Sequence, residues 1–497
     1  MSETIQFGGK WRLFNDTKWY DGTLYVETEK RYLFLEIILP SKDEEPAPTL
    51  NYVGKVPFVN GILYNNAKVL LYDCRIDFGT VHYNQYSEQG IYPKYCFMGL
   101  SVEKEEDLQF SRVEFDFGEI IEWSTLCKYN WDWTNRDNPA VTWDKKPSVS
   151  FQLREGVEVT FRPLNSFRLF PSFDVKTTIT QQVLIEIQYH TPIVWTSIMN
   201  DALSLRYLVG LGMNRFVGIE SAHYYHESLI EYIPSENGLI KKPLSMEVWF
   251  GNHDAVHTSA GNPYEYSYNF TECQDYNIIQ NWNSYYSKLK PVLDLYFSSG
   301  RYEVYVPEIV FLNLMQALET YHARFVADTK NDYIKHVEQM LDAIFHDGKD
   351  ASNWKGRLLG YDQWKDKLIS SDQKEPWRKT VLLISRLNDL IFADGEICWW
   401  SFDNGKHEDF AKKLVDTRNY YTHYDEKKKD KAYSEEELPY VNQHLRCLLN
   451  YHLLTKLGYD KQKAKEKVTE TRSRINTSYQ LFTKTNEIKE VTEEKES

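Results

Sequence analysis

The period of the hydrophobic pattern changes once along this chain, and that change limits the folds open to it. Up to about residue 185, apolar side chains alternate with polar ones. In GTLYVETEKRYLFLEIILP, Leu24 and Val26, then Leu33 and Leu35, recur at every second residue around a turn at Glu27–Lys30. A period of two turns one face of a strand toward a core. AKVLLYDCRIDF, SRVEFDFGEII, PSVSFQL and VEVTFRPL read the same way, with Gly- and Asn-rich turns such as VNGILYNN between them. Thr178–His190 adds a strand with Val183, Ile185 and Ile187 on one face. Strands in this number predict a sandwich or a barrel. The 36 Tyr, 25 Phe and 14 Trp suit such pleated, half-buried surfaces.

After Pro192 the pattern mixes. IVWTSIMNDALSLRYLVGLG has helical spacing and stops at a glycine pair, while RFVGIES and LSMEVWFGN read as strands. From Val306 onward the period is that of helices. VPEIVFLNLMQALETYHARFVADT has a proline just inside its start and Ile309, Leu312, Met315, Leu318 and Phe325 at helical intervals. NDYIKHVEQMLDAIFHD follows, opening with a cap-like Asn331 or Asp332. PWRKTVLLISRLNDLIF is apolar on a wide face and is expected to be central. HEDFAKKLVDTRNYYTHY and EELPYVNQHLRCLLNYHLLTKLG complete the set, the latter ending at Gly458. The expectation is an α+β multidomain chain: a β-rich sensor or regulatory domain over 1–185, a mixed region over 186–300, an all-α bundle over 301–458, and a charged tail over 459–497 that is a solvated helix or disordered.

The net charge of −14 argues at first against nucleic acid as a partner, but it is unevenly spread. Residues 1–300 carry 26 basic against 38 acidic side chains; residues 301–497 carry 32 against 34. The helical part can therefore present a basic cleft, which matters more than the total. Cys74, Cys96, Cys127, Cys273, Cys398 and Cys447 are scattered, with no CxxC knuckle for a metal. MSETIQFGGKW lacks the pattern of a signal peptide, and no apolar run approaches the roughly 20 residues of a membrane span. These features predict a cytoplasmic protein with free thiols, no membrane partner and no metal or other cofactor. No G-x-G-x-x-G, P-loop or G-x-S-x-G occurs, which leaves nucleotide hydrolysis and serine-hydrolase chemistry without support.

The informative segment is RNYYTH, residues 418–423. Phe410, Leu414 and Arg418 are four apart and share a helix face; so do Asn419 and His423. Arg418 and His423 are five apart, about 140° around an ideal helix, unless the helix tightens or breaks between them. RNA cleavage without a metal needs a base for the 2′-OH, an acid for the departing 5′-oxygen, and stabilisation of extra charge on phosphorus. A histidine with an unperturbed pKa of about 6.5 can act as base or acid. An arginine presents a permanently charged planar fork that matches phosphate oxygens. One chain supplies one such pair; a two-fold dimer supplies two to a single cleft.

This segment resembles the R-x4–6-H motif of HEPN domains, in the form with Asn after the arginine, over about residues 300–458. The layout, a large β-rich region followed by this helical domain, resembles the ApeA family of bacterial anti-phage proteins. The resemblance implies a HEPN bundle that dimerises or assembles further, cuts RNA (tRNA among the candidates) without a metal on infection, and arrests growth or aborts the infection. It implies catalytic roles for Arg418 and His423 and a positioning role for Asn419, with the N-terminal region sensing a phage-derived trigger. The reading from another class is a binding protein whose β domain recognises a protein or glycan and whose helical domain only dimerises it.

Other constellations have two readings each. Glu319 and His322, three apart, either support His423 across the bundle or sit on a solvated face. Lys427, Lys428, Lys429 and Lys431 either track an RNA backbone or form a solvated loop. His253 and His257, in the loop-like GNHDAVH, and His223 and His226 have spacings that suit a metal only on a helix.

Overall fold

A computed structural model describes residues 4–469 apart from 28–30, 41–53, 78, 83–85, 119, 133, 135–139, 169–177, 236–237, 252–265, 299–305, 327–336, 340–374, 392–406 and 425. The chain divides into two compact units, Met1–Cys273 and Gln274–Ser497. The stretch 186–300 is shared between them: its strands join the first unit's sheet, and its last helix belongs to the second unit.

The first unit opens with β1 (Ile5–Leu13), β2 (Tyr20–Glu27), β3 (Tyr32–Pro40), β4 (Gly54–Leu63), β5 (Lys68–Ile76), β6 (Thr80–His82) and β7 (Tyr86–Met98). All but β6 form a closed antiparallel ring in the order β1-β2-β3-β7-β5-β4, with β4 paired back onto β1. The sandwich-or-barrel expectation thus resolves here to a six-stranded barrel, closed by the β4–β1 pairing. Strict alternation fills it: Leu33, Leu35, Ile37 and Leu39 of β3 point inward with Trp11, Leu24, Val26, Val69 and Leu71. Trp11 is fully buried, and its indole N–H donates to the Gly22 carbonyl at 3.1 Å. A Cβ at Gly61 would overlap the Trp11 ring, so glycine is required where the strands wrap that indole.

β7 serves two structures. One of its edges carries β3 along 86–91 and then β15 (Gly238–Phe250) along Tyr95–Phe97, while β5 holds the other edge. From β15 an open antiparallel sheet continues through β14 (Ser221–Ser235), β8 (Gln109–Asp116), β13 (Thr178–Val194), β12 (Val157–Arg168) and β11 (Val149–Arg154). β9 (Cys127–Asp132) and β10 (Ala140–Lys145) form a separate ribbon. RFVGIES is not a strand over its first six residues; β14 begins at Ser221.

On one face of the open sheet lies an aromatic cluster, in which Trp195, the first residue of helix α2 (Trp195–Gly212), meets Phe97, Phe110 and Tyr95 edge-on. The side chains of alternate positions form an ion cluster. Glu114, only 5% exposed, accepts from Arg112 at 2.6 Å, Arg162 at 2.8 Å and the Tyr225 hydroxyl at 3.0 Å. Arg112 also donates to Glu186 at 2.6 Å and lies over the Tyr225 ring. Helix α1 (Ile121–Ser124) is a single turn after β8, and α3 (Phe270–Asp275) closes the unit by stacking Phe270 on Phe161.

The second unit is helical from α4 (Ile278–Tyr296) through α5 (Pro307–Phe325), α6 (Glu375–Ile391), α7 (His407–His423) and α8 (Leu438–Leu457). Its packing begins ahead of residue 301. α5 touches all four of the others and is the centre of the bundle. It buries Val310, Phe311, Leu314, Met315, Leu318, Tyr321 and His322. α8 is buried almost all round and ends at Gly458, whose φ of +118° is left-handed. α6, expected to be central, buries a stripe over its described side chains: Leu383, Leu387, Leu390 and Ile391. Residues 461–469 are helical and bury Ala464 and Val468, so the start of the tail is anchored. NDYIKHVEQMLDAIFHD lies outside the described residues except for 337–339. No helix among the described residues is long and apolar enough to cross a membrane.

Candidate functional site

α7 is held by its apolar positions. Phe410, Leu414, Thr417 and Tyr421 recur at three- and four-residue intervals and are buried. The hydroxyl of Thr417 accepts the Tyr433 backbone N–H at 2.9 Å, and the Tyr421 hydroxyl donates to the Tyr433 carbonyl at 3.1 Å. These two bonds clamp the segment after the helix onto its inner face. Burial pushes the Tyr421 phenol well above its usual range, so it stays a neutral donor.

Arg418 follows Thr417 and sits half-buried on the flank of that face, while His423 is exposed in the last turn. The helix is unbroken from His407 to His423 and stops at Tyr424, whose φ is +49°. No tightening brings the pair together. Their side chains leave the helix about 140° apart, with a rise of about 7.5 Å between them. Arg418 donates to the Asn419 side-chain oxygen at 3.3 Å. Asn419 and His423 share a face of the continuing helix.

Glu319 and His322 lie on the central helix, facing α6. Glu319 lies 3.7 Å from the Arg386 guanidinium and also feels the positive charge of Arg418 on α7. Burial raises its pKa, and the two arginines offset only part of that rise. His322 is fully buried, and its Nε2 meets an Asp389 carboxylate oxygen at 2.7 Å. Two residues three apart on α5 thus meet two residues three apart on α6, Arg386 and Asp389. Sequence reasoning missed this second pair. Its signal was the polar RLND break in an apolar helix, which mirrors the spacing of Glu319 and His322 with charges in the reverse order.

The basic run forms a 3-10 helix over Glu426–Lys431. Lys428 is tied to Asp416 of α7 at 3.1 Å; Lys427, Lys429 and Lys431 are exposed, with Lys429 4.0 Å from Glu426. His253 and His257 lie outside the described residues. His223 and His226 are on β14, where His226 Nδ1 meets the Ser228 hydroxyl at 2.7 Å. Among the described residues no three His, Cys, Asp or Glu side chains come together to hold a metal.

Comparison with known families gives two matches. Residues 6–282 match the family model for the ApeA N-terminal domain 1, which covers the barrel and the open sheet. Residues 312–463 match that for the Apea-like HEPN domain, which contains Arg418, Asn419 and His423. Neither the curated proteins nor the solved structures gave a match.

Proposed function

This chain belongs to the ApeA family of anti-phage defence proteins with a C-terminal HEPN domain, and on that premise we propose that its helical unit is a metal-independent endoribonuclease. The observation that carries the reading is the unbroken turn between Arg418 and His423. A single helix sends the two groups in different directions, leaving the arginine half-buried and the histidine out in solvent. A cleft at a two-fold axis reunites them, with one chain's histidine opposite its partner's. In that site one His423 takes the 2′-OH proton, the other protonates the departing 5′-oxygen, and Arg418 stabilises the charge that builds on phosphorus. Asn419 holds the Arg418 fork. Lys427, Lys429 and Lys431 are oriented to solvent, where they can steer RNA toward the cleft. The sheet unit, with its acidic excess, is read as the sensor of a phage-derived trigger.

The test is incubation of purified protein with total RNA, with and without EDTA. The expected outcome is cleavage that survives EDTA, leaves a 2′,3′-cyclic phosphate or 3′-phosphate with a 5′-hydroxyl, and disappears in Arg418→Ala and His423→Ala. Light scattering is expected to give a dimer or a larger even assembly. Cleavage that needs added magnesium, or full activity in a folded His423→Ala chain, refutes the assignment.

A further inference from the structure

The reading of α7 leaves Arg386 of α6 without a role, yet it pairs with a carboxylate that also feels the charge of the arginine given the central one. We propose that Arg386 and Arg418 together form one anion site for an RNA phosphate, and that Glu319 is the positioning residue that holds the two guanidiniums on that site. The inference rests on the endoribonuclease reading and extends it to a different helix.

Three observations support it. First, neither guanidinium is satisfied by what surrounds it among the described residues. Arg386 is 3.7 Å from Glu319, within ion-pair range but too far for a hydrogen bond, and its Nε is buried without a hydrogen-bond partner. Arg418 makes one long bond, to Asn419 at 3.3 Å. Second, the two forks come from different helices, α6 and α7, that both pack on α5, and both act on the Glu319 carboxylate, Arg386 at 3.7 Å and Arg418 through its charge, the two-sided arrangement that grips a phosphate. Third, the charges do not balance: one carboxylate faces two permanent cations. That carboxylate is itself largely withdrawn from water, and the fourth member of the ladder, Asp389, is occupied by His322. A surplus positive charge in a partly desolvated place favours an anion over water. Glu319 then acts as a spacer. It keeps the guanidiniums from repelling each other out of register and limits how tightly the ground-state phosphate is held.

The test separates binding from chemistry. RNA affinity is measured by fluorescence anisotropy on His423→Ala chains, using a single-stranded RNA oligonucleotide at several salt concentrations; kcat and KM are measured on chains with His423 intact. Arg386→Ala is expected to weaken binding about tenfold, as for one lost charged hydrogen-bonding contact, and to make the salt dependence shallower by about one phosphate. Arg386→Lys, which keeps charge and stem, recovers the salt slope but not the affinity. Glu319→Gln is expected to bind RNA more tightly while kcat falls about tenfold, a split that loss of folding does not produce. RNA binding indifferent to Arg386→Ala, or a Glu319→Gln chain that binds and cuts like the wild type, overturns the anion site. A wild-type chain that cuts no RNA refutes the endoribonuclease reading instead, and the anisotropy series still judges the anion site by itself.

Discussion

Each unit of this chain clusters arginines around a glutamate, and the two clusters are built to opposite ends. In the sheet unit, Glu114 takes three short hydrogen bonds, and Glu186 absorbs the remaining charge of Arg112. Two cations meet two anions at ordinary hydrogen-bond lengths across β8, β12, β13 and β14. Such a cluster fastens strands and specifies register, because any slip leaves a buried charge unpaired. In the helical unit, Glu319 has Arg386 at 3.7 Å, beyond hydrogen-bond length, and also feels the charge of Arg418. The first arrangement balances its charges by itself; in the second, one carboxylate faces two cations, and the proposed phosphate supplies the missing negative charge. The same residue types therefore serve as a fastener or as a receptor, according to whether the count of charges closes.

The widest separation between the clusters is expected in activity. His423→Ala should lower cleavage by at least ~10²-fold while leaving the melting temperature unchanged, because the imidazole is exposed and its proposed role is in chemistry alone. Calorimetry beside a cleavage assay checks both halves. Next comes Glu114→Gln, which leaves Arg162 without its carboxylate and Arg112 with Glu186 alone, and should cost about 3 kcal/mol of stability. A sheet unit that melts at its wild-type temperature contradicts the fastener reading. Tyr225→Phe removes one of the three donors to Glu114 but keeps the ring beneath Arg112, and should cost about 1 kcal/mol. The smallest effect is a pH dependence. Glu319 holds its proton more tightly in the folded chain than unfolded, so its contribution to stability is full below the ordinary carboxylate pKa and is lost as pH rises through its raised value. The groups facing it are Arg386 and Arg418, with the His322–Asp389 pair one turn along the same two helices. Melting curves of the wild type and Glu319→Gln should diverge in favour of glutamine as pH rises; curves that stay parallel count against a desolvated carboxylate.

Much of the local structure was legible. The period of two marked β2, β3, β5, β8, β11 and β12 because each has one face in a core. The helical spacing and terminal glycines located α2 and α8. What stayed hidden is pairing between distant residues. Nothing in YSEQGIYPKYCFM says that one strand borders both β3 and β15, since its register is fixed by partners as far away as Val248. α4 escaped notice because Pro291 stands inside it. In the candidate site, RNYYTH was visible because the motif occupies six consecutive residues. Arg386 was not, because its meaning depends on Glu319, 67 positions earlier and on another helix.

The shared strand also sets an order of assembly. The six barrel strands are all contained in the first 98 residues, so the barrel can close as soon as β7 leaves the ribosome. The open sheet cannot finish then: β15, which joins it to β7, emerges some 150 residues later. Until that point the β15-facing edge of β7, at Tyr95–Phe97, is an unpaired template at the rim of a finished barrel. The nascent chain thus carries a waiting dock for its own later hairpin, and the long interval before that hairpin arrives is where contact order is highest and folding is expected to be slowest.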